Sequence, residues 1–471
     1  MSRFPTTLRV FFLAFVVYAL SAQVWTQAIS LAPHYVYLAQ SLLHGHVDLI
    51  QLPPTTYDLL NFKGQWFVAG SPMPSILMLP FVAIFGVGFS DVLFSIVLGA
   101  IDVVLVYSLL GIFHRRDAEN AEVPSEKLGE LSVSAVDSIS ISESARRWIT
   151  LLFALGTPFW YLAALGTYWF TAQVVVVFFA LLATREALMR QRWFLVGLWL
   201  ACAGFARPTA LFLAPFFLIV MVYAIRSRAN PTSGTRQQRI AYSILRNGLL
   251  FGAALALGLA AHFVYNHARF KSFTDFGYAY VTGADNITSV YARYGGFNLR
   301  FVPCNLAVSL LSPPEVKGAV PAFITQACAY LLEGVNLADT SAPITPNPLG
   351  MSIFFVTPAL LITFSGLGQF FKRRNDPDSR LQPESFRPVI LAAWIGLLAT
   401  LIPLWFYHNT GSLQFGWRYV FDAAPMWIIL LAAGMQKVTR LKQGLILVSI
   451  AINLWGLLWI FEKLIGKPWG T

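Results

Sequence analysis

Residues Ser30–Phe89 read SLAPHYVYLAQSLLHGHVDLIQLPPTTYDLLNFKGQWFVAGSPMPSILMLPFVAIFGVGF, and how this stretch lies decides the architecture. Its first part mixes aromatic, His, Asp and Lys residues with prolines. It then runs into an apolar piece, Pro72–Phe89, that carries Pro72, Pro74 and Pro80. A proline inside a helix removes a backbone hydrogen bond and clashes with the preceding turn. Pro72–Phe89 is therefore expected to lie at the membrane border as an interfacial or re-entrant helix. The competing reading is an ordinary second span, which would invert every later connection.

Working outward from this segment, composition sets the class. The chain is 57% hydrophobic, 15% aromatic and only 12% charged, far from the balance of a soluble domain. Many apolar runs approach the length a helix needs to cross a bilayer. The expectation is an all-α polytopic membrane protein of about eleven spans. The first six are placed near Val10–Thr26, Asp91–Phe113, Trp148–Leu165, Tyr168–Ala183, Trp193–Ala206 and Pro208–Ile225. The rest follow near Leu249–Tyr265, Met351–Phe371, Pro388–Tyr407, Phe421–Met435 and Leu445–Phe461. Residues 1–471 form a single integral membrane domain, with 30–89 as a first outer loop carrying interfacial helices and 266–350 as a large outer loop.

The net charge of +11 raises the question of an anionic macromolecule as partner. Its distribution excludes nucleic acid, because no basic patch interleaved with aromatics occurs. Basic residues instead fill short connections, such as Arg115-Arg116, Arg146-Arg147, Arg226 to Arg228 and Lys437 to Lys442. That is the pattern that sets orientation in a membrane, and it predicts a cytoplasmic N-terminus in a multi-pass protein of the bacterial plasma membrane. The first span is read as retained, although Ala19-Leu20-Ser21 resembles a weak signal-peptide cleavage site.

The polar connections His114–Arg147, Arg226–Ala241 and Lys372–Arg387 read as flexible linkers. No P-loop, dinucleotide-binding glycine pattern or metal-ligand spacing is visible, so no cofactor or metal is predicted. Cys202 falls in a span. Cys304 and Cys328 share the large outer loop, where a disulfide and two free thiols are both open. Asn286-Ile287-Thr288 fits a glycosylation acceptor.

Two polar breaks interrupt the apolar pattern. Trp193 to Ile225 is too long for one simple span, so a turn is expected at Arg207-Pro208, with Arg207 near the outer surface. There it either snorkels to headgroups or binds a lipid-linked phosphate. The last outer connection, YHNTGSLQFGWRYVFDAAP, places Arg418 and Asp422 four residues apart, where they are expected to pair on one helix face. Trp417 and Tyr419 fit an interfacial aromatic belt. Asp102, inside a span, is a buried carboxyl that a helix-packing hydrogen bond explains as well as a chemical role does.

The layout resembles the GT-C class of polytopic glycosyltransferases, which use polyprenyl-phosphate sugars; the protein O-mannosyltransferase and aminoarabinose transferase families belong to it. The stretches that carry the resemblance are YVYLAQSLLHGHVDL, YDLLNFKGQWFVAGSPMPSILMLPFVAIFG, ALGTPFWYLAALG, GFARPTALFLAPF and QFGWRYVFDAAP. It implies sugar transfer from a polyprenyl-phosphate donor to an acceptor at the outer face, with the membrane lipid as a further partner. A base would deprotonate the acceptor and cations would hold the departing phosphate. Some members of the wider class use a divalent ion.

Members usually carry a carboxylate just after the first span; here that place reads Leu31-Ala32-Pro33-His34-Tyr35. The resemblance thus points to Asp58 as base, then Asp48, then His34. Lys63, Arg207 and Arg418 are the candidate phosphate holders, and Tyr35, Trp66 and Tyr278 the candidate sugar or lipid contacts. The alternative function is a non-enzymatic lipid or small-solute transporter or flippase. Such a carrier is expected to show paired polar breaks in repeated halves, and Arg207-Pro208 has no clear counterpart.

Overall fold

The computed structural model describes residues 5–113, 141–228, 236–332, 342–372, 387–411 and 413–466. Most of His114–Arg147 and of Lys372–Arg387 lies outside these residues. Of Arg226–Ala241 only 229–235 does, and its two flanks are helical, closing the helix Ala214–Arg228 and opening the helix Arg236–Phe270 rather than forming a flexible linker.

Helix α1 (Thr6–Ala22) runs alongside α4 (Asp91–Leu110), and the loop 30–89 is folded between them in sequence. That loop holds α2 (His34–Leu43), a hairpin of β1 (Leu59–Phe62) and β2 (Gln65–Val68), and α3 (Met73–Phe85). The hairpin was not foreseen from the sequence. Its turn is Lys63-Gly64, with φ of 53° and 84°, the left-handed pair that matches the twist of a tight hairpin. Helix α3 opens with Pro74 in its first turn, where no backbone N–H is missed. Its 13 residues span about 20 Å against roughly 30 Å of hydrocarbon, so by length it falls short of a crossing. Met78 and Val82 are buried, while Ile84 and Phe85 stay exposed.

Ser90 caps α4 by accepting from the Leu93 N–H at 3.0 Å. Helices α5 (Glu143–Leu155) and α6 (Phe159–Leu165) meet at a 54° bend. The chain then turns through Gly166, whose φ is +64° and where a Cβ would stand 2.5 Å from the Val92 Cα. Only glycine fits that approach. Next come α7 (Tyr168–Met189), α8 (Trp193–Ala206), α9 (Ala214–Arg228) and the 35-residue α10 (Arg236–Phe270). Helix α8 is packed between α7 and α10.

The large loop after α10 contains short helices, α11 (Asp285–Tyr294), α12 (Val302–Leu306), α13 (Ala322–Ala327) and α14 (Ala329–Leu332), with a small ladder of β3 (Glu315–Val316) and β4 (Ile344–Thr345). Of the two states open for its cysteines, the structure adopts the Cys304–Cys328 disulfide. Val281 in this loop bridges to Leu60, and the Asp58 N–H donates to Thr282 O at 2.9 Å, so the two loops are laced together. The rest is α15 (Ile353–Val356), α16 (Ile362–Lys372), α17 (Arg387–Trp405), α18 (Ala424–Gly434) and α19 (Arg440–Ile465).

By length and apolarity, six helices among the described residues can cross a membrane: Asp91–Phe113, Tyr168–Met189, Pro208–Arg228, Gln237–Phe270, Pro388–Trp405 and Arg440–Ile465; the bent α5–α6 pair would make a seventh. This is the build of an integral membrane protein. Thr6–Ala22 and Trp193–Ala206 are shorter apolar helices, and α18, within the span expected at Phe421–Met435, has 11 residues, all buried. Where one run was expected over Met351–Phe371, three short pieces occur, because Pro358 breaks the helix between α15 and α16. The carboxyl of Asp102 is wholly buried, and neither oxygen has a hydrogen-bond partner among the described residues.

Candidate functional site

One group of polar side chains, Asp58, Arg207, Arg418 and Asp422 among them, gathers where α7 begins and α8 ends. Local sequence explains how two arginines come to face this place. Pro208 disfavours helical backbone in the residue before it, so Arg207 is extended, with φ −148° and ψ 118°. Helix α8 stops at Ala206, and a 3-10 turn over Pro208–Leu213 leads into α9. A second 3-10 turn, Arg418–Ala423, leads in the same way into α18.

This second turn overturns the expected pairing of Arg418 with Asp422. In a 3-10 helix it is residues three apart that eclipse, so a partner four residues on is rotated away. Asp422, fully buried, is held instead by Arg207: Nε donates to Oδ1 at 2.9 Å and to Oδ2 at 3.2 Å. Thr209 donates its hydroxyl to the same Oδ2 at 2.5 Å. Arg207 keeps 20% of its side chain exposed, so it is both paired and reachable.

Arg418 is differently placed. Only 6% exposed, it donates from one terminal nitrogen to the Trp169 carbonyl at 3.1 Å, and its Nε has no partner among the described residues. Its guanidinium lies 5.5 Å from the Phe170 ring centre and 5.6 Å from that of Tyr419. Arg207 lies 5.1 Å from the same Tyr419 ring, so the two cations flank one tyrosine. Gln173 fixes the turn by donating to Arg418 O at 2.9 Å, and the Arg418 N–H donates to Gln414 at 3.1 Å.

Asp58 sits at the Arg418 end of this row. Its backbone is in the left-handed region, φ 60°, which is costly for a residue with a Cβ and is concentrated at functional positions. The Trp169 indole donates to its Oδ2 at 2.7 Å, and the Tyr168 hydroxyl reaches its backbone carbonyl at 3.4 Å. Burial raises the Asp58 carboxyl above the usual carboxylate range, against the opposing pull of these hydrogen bonds and of the Arg418 charge. Trp169 therefore touches both groups, the acid through its ring and the cation through its carbonyl.

His34 stands behind Asp58. Its Nε2 donates to the Tyr57 carbonyl at 2.9 Å, and its ring packs on Tyr168 with centres 4.6 Å apart. Burial lowers its pKa to about 4, so at neutral pH it is an uncharged imidazole. Tyr35, on the same helix, contacts the edge of Tyr168 at 5.9 Å and lies within the field of Arg207. Tyr278 is within electrostatic reach of Arg207 and packs near Tyr407 and His408, with centres 6.2 and 5.7 Å away.

The other three expected site residues lie elsewhere. Asp48 accepts from His46 at 3.2 Å. Lys63 is exposed in the hairpin turn, 5.2 Å from its neighbour Phe62. Trp66 is packed into the apolar cluster around α2. Sequence reasoning missed Trp169 and Thr209, and it misassigned the partner of Asp422. An aromatic at the head of a span reads as interfacial belt, and nothing local tells that its indole meets a distant carboxylate. No group of three or more His, Cys, Asp or Glu side chains suited to a metal occurs among the described residues.

No family model matches the chain, and no curated protein sequence does so either. Among solved structures, the Archaeoglobus fulgidus oligosaccharyltransferase in its apo form is similar at 12% identity and TM-score 0.46, over 99% of this chain and 56% of that one. The archaeal oligosaccharyltransferase AglB from Archaeoglobus fulgidus, in complex with an inhibitory peptide and a dolichol-phosphate, is similar at 14% identity and TM-score 0.41, over 97% and 55%. The chain thus spans little more than half the length of these proteins.

Proposed function

We propose that the protein is a GT-C-type glycosyltransferase that moves a sugar from a polyprenyl-phosphate donor to an acceptor at the outer, non-cytoplasmic face of the membrane. The observation that carries this reading is the row Asp58–Trp169–Arg418–Tyr419–Arg207. It sets the Asp58 carboxylate beside Arg418, with a second guanidinium, Arg207, beyond Tyr419 and tied to Asp422. In the reaction the acceptor oxygen attacks the anomeric carbon, and the bond from that carbon to the phosphate oxygen breaks. The acceptor proton passes to Asp58, and the phosphate departs with the bonding pair, its charge met by Arg418 and Arg207. Guanidinium suits this task because its planar fork can contact two phosphate oxygens at once.

The chain's departure from the usual acid after the first span is met by Asp58 arriving from farther along the loop. The hairpin and its lacing to Thr282 hold it there. Asp48 and Lys63, on the outer edge of the same loop, have no part in this assignment. His34, neutral, orients the Tyr57–Asp58 backbone and is a positioning residue.

The test is transfer of labelled sugar from polyprenyl-phosphate hexoses by the purified full chain, with a panel of lipid and glycan acceptors. Donor-dependent product in the wild type and its absence in Asp58→Asn are expected. Unchanged turnover in Asp58→Asn would remove the proposed base. Cysteine labelling in intact cells is expected to find positions 58 and 418 on the non-cytoplasmic side; labelling from opposite sides would overturn the orientation.

A further inference from the structure

One buried cation plays no part in that scheme. Arg269, in the last turn of α10, is 4% exposed. It donates to the Val68 carbonyl at 3.0 Å and to the Asn266 side-chain oxygen at 2.8 Å. Among the described residues no carboxylate lies within ion-pairing distance of it, and its Nε has no partner. An unpaired buried charge is expensive, and a latch between helix and hairpin needs no charge, since a neutral amide donates to carbonyls equally well.

The surroundings of Arg269 hold further unused hydrogen-bonding atoms. The guanidinium lies 4.1 Å from the ring centre of Tyr265, whose hydroxyl is buried with no partner among the described residues. Tyr35, likewise buried with an unpartnered hydroxyl, is within electrostatic reach of Tyr265 and of Arg207. A Cβ on Gly70 would strike that hydroxyl, so the Val68–Ser71 backbone runs directly past both groups. On the other side Tyr278 and the Asp275 carboxylate act on the Arg269 charge, and Tyr278 acts on that of Arg207 as well. Tyr265 packs 6.3 Å from the ring of Phe205, two residues before Arg207, which sets the Arg269 group near the Arg207 end of the row.

We infer that Arg269, Tyr265 and Tyr35 form a second phosphoryl-binding site next to the one at Arg207, an inference that rests on the reading of that first site. A guanidinium and two hydroxyls supply donors of the kind a phosphoryl group accepts from. The second group is either the distal phosphoryl of a diphosphate-linked donor or a phosphate on the acceptor.

The experiment is calorimetric titration of the full chain in lipid nanodiscs with inorganic phosphate and with inorganic pyrophosphate. Wild type is expected to bind two phosphates or one pyrophosphate, and Arg269→Gln a single phosphate. Tyr265→Phe and Tyr35→Phe remove only atoms that make no internal hydrogen bond, so they are expected to keep the fold and weaken the second phosphate about fivefold. Pyrophosphate binding much tighter than phosphate assigns both groups to one diphosphate ligand; two independent phosphates assign the second to the acceptor. One phosphate per wild-type chain, or two in Arg269→Gln, overturns the inference. Binding is read without any transfer, so failure of this inference is distinguishable from failure of the glycosyltransferase assignment.

Discussion

The two 3-10 turns that carry the arginines have similar backbones and opposite electrostatics. At Pro208–Leu213, Arg207 precedes the turn, is tied to a buried carboxylate and still reaches solvent. At Arg418–Ala423, Arg418 begins the turn, is almost wholly enclosed, and finds a carbonyl and aromatic faces in place of a counter-ion. The difference teaches a division of labour. A paired, reachable cation can meet an incoming anion at little reorganisation, whereas an unpaired, enclosed one gains most when charge develops beside it in the transition state. Asp422 belongs in sequence to the second turn and in space to the first, which locks the two together.

Breaking that lock has the largest expected effect. Asp422→Asn leaves Arg207 without its partner and should cost about 3 kcal/mol of stability, at the lower end for a buried pair because Arg207 is partly exposed; thermal unfolding of the purified protein measures it. Arg418→Gln comes next. Its turnover should fall about a hundredfold with little change in unfolding temperature. A loss confined to substrate affinity would make Arg418 a binding group of the same kind as Arg207. Arg207→Lys should weaken donor affinity about tenfold, since a point charge cannot reproduce the fork that also holds Asp422.

Asp58 sharpens the comparison through pH. With its carboxyl raised above the ordinary value near 4, the ionised base should be lost at a higher pH than for an exposed Asp, and the acid limb of the rate profile should move upward accordingly. The native state then holds the proton more tightly than the unfolded chain, so this group's contribution to stability declines as pH rises through the same window.

The smallest effect expected is at His34. Its native pKa near 4, against about 6.5 unfolded, means that the unfolded chain takes up the proton first. Stability should fall between these two values as pH drops, and His34→Gln should flatten that slope. His408, also lowered to about 4 by burial, offers an internal control, since it packs by Tyr278 and away from Asp58.

Composition and proline placement carried the membrane architecture and the short α3, because bilayer thickness and backbone chemistry act locally. The break at Arg207 was legible for the same reason: Pro208 dictates the backbone before it. What could not be read was partnership. Arg418 and Asp422 look like a helical pair four residues apart, and only the 3-10 geometry, set by packing of the turn under α17 and against α7, separates them. The hairpin at Leu59–Val68 was hidden because its strands lack alternation; the Lys63-Gly64 turn was its one local signal. Trp169 could not be picked out from the many aromatics of the chain, since its role depends on a carboxylate 111 residues away.

The central claim is that Asp58, Arg418 and Arg207 serve one reaction while the outer-edge residues Asp48 and Lys63 do not. Sugar transfer from a polyprenyl-phosphate donor, compared between Asp58→Asn and Asp48→Asn in one preparation, tests this most directly. The account predicts near-complete loss of turnover in the first and wild-type turnover in the second. Loss in Asp48→Asn with turnover retained in Asp58→Asn would contradict it.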